Sequence, residues 1–185
     1  MSVEVFPMLR RIACLLIFVL AAGSAVRLCA QDDQDPLTPD EVQEVRDNAV
    51  HPNERIKLFE KFIEERLTEI RQLAGDPDAA HRKAQIRDKL EEFTHLCDEL
   101  QDNMDTYDSA HADIRKSLKD LVASAAKWPA ELRAAGTDPS YDFSLKTAQE
   151  AAQSASDEAK QLSTEQDAFF QEHKDERHKN GNGPS

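Results

Sequence analysis

The chain is expected to be all-α. The expected form is long antiparallel helical hairpins or a coiled coil, with one central helix over about 77–135 and two shorter partners. A compact four-helix bundle is the alternative. Three observations predict this class. X-Pro pairs stand where helices would start, at Thr38-Pro39, His51-Pro52, Asp76-Pro77 and Asp138-Pro139. Apolar residues recur at alternating spacings of four and three through the longest segment. With only five glycines in 185 residues and almost no alternating β-branched runs, nothing competes for strand.

The elements follow in order. MSVEVFPMLRRIACLLIFVLAAGSAVRLCAQDD opens with Arg10 and Arg11, an apolar run from Ile12 to Val26, then small residues and acids. This pattern is that of a secretory signal peptide over 1–30, and its apolar run falls short of the roughly 20 residues a membrane-spanning helix needs. Cleavage fits after Ala25 or after Ala30, and Gln31, which opens a polar stretch, favours Ala30. Leu28 and Arg27 argue against lipid attachment at Cys29. Export to a periplasmic or extracellular space is expected, and the absence of Asn-x-Ser/Thr sequons leans toward a bacterial envelope. An exported chain would keep Cys97 alone, too few thiols for an internal disulfide.

Residues 31–37 are an expected disordered linker, and a helical domain is expected over 38–177. Its segments run 39–49, 52–74, 77–135 and 139–177, with a disordered tail at 178–185. Proline at the first helical position costs no hydrogen bond. Thr38 and Glu41 have capping-box spacing, Asp76 and Asp138 are acceptable N-caps, and Gly75 and Gly136 stand where a left-handed residue would end the preceding helix.

The central segment holds a conflict. CDELQDNMDTYDSAHADI, residues 97–114, carries six acids, no base and many residues common at helix ends. Yet Ile86, Leu90, Phe93, Cys97, Leu100, Met104, Tyr107, His111, Ile114, Leu118, Leu121, Ala125 and Trp128 keep heptad phase straight through it. Propensity costs only tenths of a kcal/mol per residue, whereas lost phase would expose a face. Continuity is therefore expected, with a kink at Pro129. Folding back 139–177 opposes Trp128 to Ala148, Leu121 to Ala155, Leu118 to Ala159, Ile114 to Leu162, His111 to Gln166, Tyr107 to Phe169 and Met104 to His173. The helix over 52–74 opposes Ile63 to Leu90 and Phe59 to Phe93. Leu58, Phe62, Leu96, Val122 and Phe170 would lie beside these seams and need a third surface, from 39–49, from a second copy, or from the chain's own other half.

The formal charge of −13 disfavours nucleic acid and anionic membranes as partners. Losing Arg10, Arg11, Arg27 and Glu4 with the leader would bring it to about −15, enough to keep a helical domain soluble. For metal or cofactor chemistry the patterns are thin. Glu92 and His95 have the spacing of di-metal bundles but fall on an outer face; Asp108/His111 and Asp175/His178 fit no better. Met104 facing His173 could hold haem, although a gap-filling methionine explains it as well. His111 against Gln166 is a polar pair that would fix register, and through His111 could sense pH. Cys97 suits a core. The acids Asp98, Glu99, Asp102, Asp105, Asp108 and Asp113 form a solvated face, without the loop that curls carboxylates round calcium. No nucleophile elbow, phosphate-cradling loop or zinc-protease helix is present. No catalytic, cofactor-binding or metal residue is assigned, and an enzyme is not expected.

PNERIKLFEKFIEERL and DTYDSAHADIRKSLKDLVASAAKWPAEL, with the leader and tail, resemble an uncharacterised group of predicted exported helical proteins from soil bacteria. The resemblance implies no activity and no site residues. The expected function is that of a non-enzymatic interaction or structural module using coiled-coil surfaces, with a protein partner or a second copy. The alternatives are a small-ligand, metal or haem-binding bundle built around Met104, His111 and His173, and an envelope chaperone.

Overall fold

The computed structural model describes residues 36–78 and 80–174. The leader at 1–30, the linker up to residue 35, the Asp175/His178 pair and the tail lie outside the described residues. Among the described residues six α-helices and one 3-10 turn are formed: α1 Pro39–Asp47, α2 Pro52–Gly75, α3 Arg82–Ser109, α4 Arg115–Ala125, α5 Trp128–Glu131, the turn Leu132–Ala135, and α6 Asp142–Glu172. The described chain is all-α, as the sequence predicts. It takes the alternative form, a four-helix bundle.

The expected continuous helix over 77–135 is broken. α3 stops at Ser109 and α4 starts at Arg115, running the other way. Pairings between helices fix the directions. Arg66 meets Glu92 and Lys89 meets Glu69, so α2 and α3 are antiparallel. Asn53 reaches Ser117 and Lys57 reaches Asp120, so α4 runs parallel to α2. Glu91 bonds Ser144 and Gln101 bonds Glu158, so α6 runs parallel to α3. Around the bundle the order is α2, α3, α6, α4, and α3 and α4, consecutive in sequence, sit on a diagonal. The rings of Phe93 in α3 and Trp128 in α5 meet edge-to-face, at 6.2 Å between centroids.

The heptad stripe survives on both sides of the break but not at it, where Tyr107 is half-buried and His111 is exposed. Ile86, Leu90, Phe93, Cys97, Leu100 and Met104 on one side, and Ile114, Leu118, Leu121, Ala125 and Trp128 on the other, are all buried in one core. Ala148, Ala152, Ala155 and Ala159 of α6 let the neighbouring helices approach closely. Four of the five flanking apolar residues close inside the chain, with Phe62 and Leu96 fully buried and Leu58 and Val122 on the core's edge, while Phe170 stays half-buried outside the core. Burying Cys97 raises its thiol pKa well above the ordinary value, which suits a packed core residue.

Helix ends divide the proline expectations. Pro39 and Pro52 begin helices, and Thr38 and Glu41 form the expected reciprocal capping box. Pro77 and Pro139 do not begin helices but lie in turns. There the Asp76 carboxylate accepts from the Asp78 N–H and the Asp138 carboxylate from the Ser140 N–H and hydroxyl. These local Asx bonds compete with helix initiation, and α3 and α6 start only at Arg82 and Asp142. Gly136 takes positive φ, 70°, as expected; Gly75 does not, and His81 and His111 occupy left-handed positions instead. At Pro129 the expected kink is a full interruption, because α4 ends at Ala125 and α5 begins at Trp128, yet the segment keeps its direction.

α1 lies along α2, fastened by charge. Arg66, 3% exposed, donates to both Glu41 oxygens at 2.9 and 2.8 Å and to the Pro36 carbonyl, and its Nε lies 2.7 Å from Glu92. Burial disfavours the Glu41 carboxylate, but hydrogen bonds from Arg66 and Thr38 outweigh it and lower its pKa. Pro36 and Leu37, expected in the disordered linker, are docked by this cluster and by the core.

Candidate functional site

The break between α3 and α4 builds the most distinctive surface of the bundle. α3 closes in a Schellman motif: the Ala112 N–H bonds the Tyr107 carbonyl at 2.9 Å and the His111 N–H bonds the Asp108 carbonyl at 2.8 Å. Such a motif wants glycine at its left-handed position. Here His111 fills it at φ 53°, at a backbone cost of about 1 kcal/mol or more.

Two carboxamides from neighbouring helices satisfy the backbone that the break leaves open. Gln166 of α6 is 2% exposed. Its Oε1 accepts the Ile114 N–H at 3.1 Å, and its Nε2 donates to the Ala112 carbonyl at 3.0 Å and to Asp108 at 3.2 Å. Asn53 of α2 accepts the Ser117 N–H at 3.0 Å and donates to the Asp113 carbonyl at 2.7 Å. α4, whose N-cap residue is Ile114, is thereby capped by another helix.

Above these bonds the rings gather. His111 stacks on Phe169 at 4.7 Å and 16°, and Phe169 stacks on His173 at 4.2 Å and 27°. Phe170 meets Phe169 edge-on at 5.1 Å. The Arg115 guanidinium lies 4.6 Å from the Phe170 centroid and reaches Asp113 at 2.7 Å and Asp167 at 3.8 Å. The hydrogen bonds that Arg115 donates to Asp113, and the charges of both acids, raise the Arg115 pKa, keeping it cationic. Beside this arrangement a pocket of about 230 Å³ is lined by Asp108, His111, Glu165, Gln166, Phe169 and Phe170.

The residues singled out from sequence are only partly brought together. His111 and Gln166 line one pocket, but Gln166 bonds the backbone and not the imidazole. Met104 and His173 are separated, since Gln101 is level with Glu158; with α3 parallel to α6, Met104 faces a level near residue 161, about 18 Å short of His173 along the axis. Met104 is buried in the core, and His173 closes α6 with Nδ1 2.7 Å from the Phe169 carbonyl. The Met104–His173 pairing that could have held haem is thus not formed. Glu92 pairs with Arg66 and Lys89, while His95 is exposed. Among the described residues no three His, Cys, Asp or Glu side chains converge as a metal site. Phe169, Arg115 and Arg66 were not singled out as site residues; the Phe169-Phe170 pair ending an alanine-rich helix was the available signal.

No family model, no characterised protein and no solved structure matches this chain. Among the described residues no helix is long and apolar enough to cross a membrane.

Proposed function

We propose that this is an exported, non-enzymatic helical protein of a bacterial envelope that acts as an interaction module, through the end of the bundle where α3 and α6 finish. One observation carries the reading: a histidine held in a strained left-handed conformation props an aromatic surface that the core leaves half-exposed. Strain of this kind persists where surrounding contacts enforce it, and it clusters at working surfaces. The leader supports export, and the charge of −13 supports a protein partner over nucleic acid. The seams, expected to serve as coiled-coil surfaces, are used within the chain.

The test places a photo-cross-linking side chain at position 170 in the full chain within the producing cell, with exposed Gln153 of the same helix as control position. Discrete adducts at 170, fewer at 153 and abolished by Phe169→Ser, are the expected result. Equal adducts at both positions, or none at 170, would remove the reading.

A further inference from the structure

The aromatic end contains two neighbouring arrangements of the same parts, and among the described residues only one holds a cation. In the first, the Phe170 ring and the carboxylates of Asp113 and Asp167 hold the Arg115 guanidinium. In the second, the His111 and Phe169 rings stand with the carboxylates of Asp108 and Glu165 round the 230 Å³ pocket. Asp108 bonds the Gln166 amide and Glu165 bonds the Gln161 amide. Among the described residues neither carboxylate has a cationic partner within ion-pair distance.

The walls are already in place. Gln166 ties Asp108 to the backbone of the break, and the stack on Phe169 fixes His111, so little ordering is needed on binding. His111 is exposed, so its ring offers a planar surface at the pocket rim. A guanidinium suits this set better than an ammonium, because it is planar, stacks on rings and bonds carboxylates through a fixed fork. Arg115 shows that the local geometry admits one.

We propose that this pocket receives the guanidinium of an arginine side chain from a protein partner, stacked on His111 and bonded by Glu165 and Asp108. The proposal rests on the interaction reading above and names the chemistry of the partner at that surface.

The probe is the blocked peptide Ac-Gly-Arg-Gly-NH2, titrated into the full chain by NMR, with its lysine counterpart and with agmatine. The expected result is saturable shifts centred on the Gln166 side-chain amide, His111 and Phe169, with the lysine peptide roughly tenfold weaker. Glu165 is exposed and bonds no backbone, so Glu165→Gln leaves the fold intact, reported by an unmoved Gln166 amide signal, and weakens the arginine peptide roughly tenfold. Phe169→Leu gives a second loss by a different route. Equal binding of arginine and lysine peptides, shifts spread over the acidic faces, or retained binding in both variants overturns the proposal. Tighter binding of agmatine than of the peptide overturns the protein partner in favour of a small guanidine. If position 170 still cross-links while the arginine peptide fails, only the guanidinium assignment falls; if both fail, the interaction reading falls with it.

Discussion

Residues 110–114 and residues 126–129 both interrupt the central segment, and they do opposite things. The second contains a proline, yet the chain continues in the same direction. The first contains neither proline nor glycine, yet the chain turns back and crosses the bundle. At 126–127 the backbone stays right-handed helical, and Pro129 falls in the first turn of α5, where its missing N–H is not needed. At 110–114 one left-handed residue, His111, turns the chain. What sustains that turn is not local. Asn53 and Gln166 supply partners for the Ile114 and Ser117 N–H groups and for the Ala112 and Asp113 carbonyls. A break is tolerated where other helices can complete its hydrogen bonds, whatever its own residues prefer.

That comparison can be broken at its strongest point first. Gln166→Ala leaves a buried N–H, a carbonyl and Asp108 without their partner, and should cost about 2–4 kcal/mol of unfolding free energy. Urea denaturation measures this, and a loss under half a kcal/mol would mean that the carboxamide does not hold the turn. Asn53→Ala removes the cap that α2 lends to α4 and should cost about 1–2 kcal/mol, with the amide of Ser117, left with the Ile114 carbonyl at 3.1 Å, losing part of its hydrogen-exchange protection.

His111 separates backbone from ring. His111→Gly relieves the left-handed strain but removes the stack, while His111→Ala removes the stack and keeps the strain. The glycine variant should be more stable by about 1 kcal/mol; equal melting midpoints would show that position 111 is not strained. By contrast, Pro129→Ala should change stability by only about 0.5 kcal/mol in either direction. A loss well beyond that would show that proline sets the course of the segment after all.

The smallest effect concerns Glu60, which lies in the seam where α2 passes α4. Burial raises its pKa, with the Ser124 hydrogen bond opposing, and the charges of Glu64 and Asp120 add to the rise. A raised folded-state pKa gives stability that is present below the ordinary value of 4.5 and is lost as pH rises through the folded value. Glu60→Gln should therefore match the parent in acid and gain on it toward neutral pH. A constant difference across that range would exclude this titration as the cause.

Much of this was legible in the residues. The all-α class, the capping box at Thr38 and Glu41, the start of α2 at Pro52 and the membership of the core stripe follow from punctuation and period. The break was half legible: its Asn, Asp, Thr and Ser content marks a helix end, but preserved phase argued for continuity. Phase cannot decide, because a bundle buries the same stripe on both limbs of a turn as a rod buries along one face. Met104 opposite His173 was an artefact of assuming the rod, since reversing α4 brings α6 alongside α3 in the parallel sense. The aromatic pocket was illegible for a related reason, since its walls come from α3, the break and α6, which only the turn brings together.

The sequence by itself determined the apolar stripe on either side of the break, because apolar period is a property of the chain and must be hidden from water in any arrangement; Tyr107 and His111, at the turn, leave it half-buried and exposed. It determined the acidic surface in the same direct way. Tertiary structure alone decided where the chain turns. Rod and bundle bury the same stripe, and the choice between them lay with single carboxamides on distant helices, Asn53 and Gln166, whose reach no local pattern encodes.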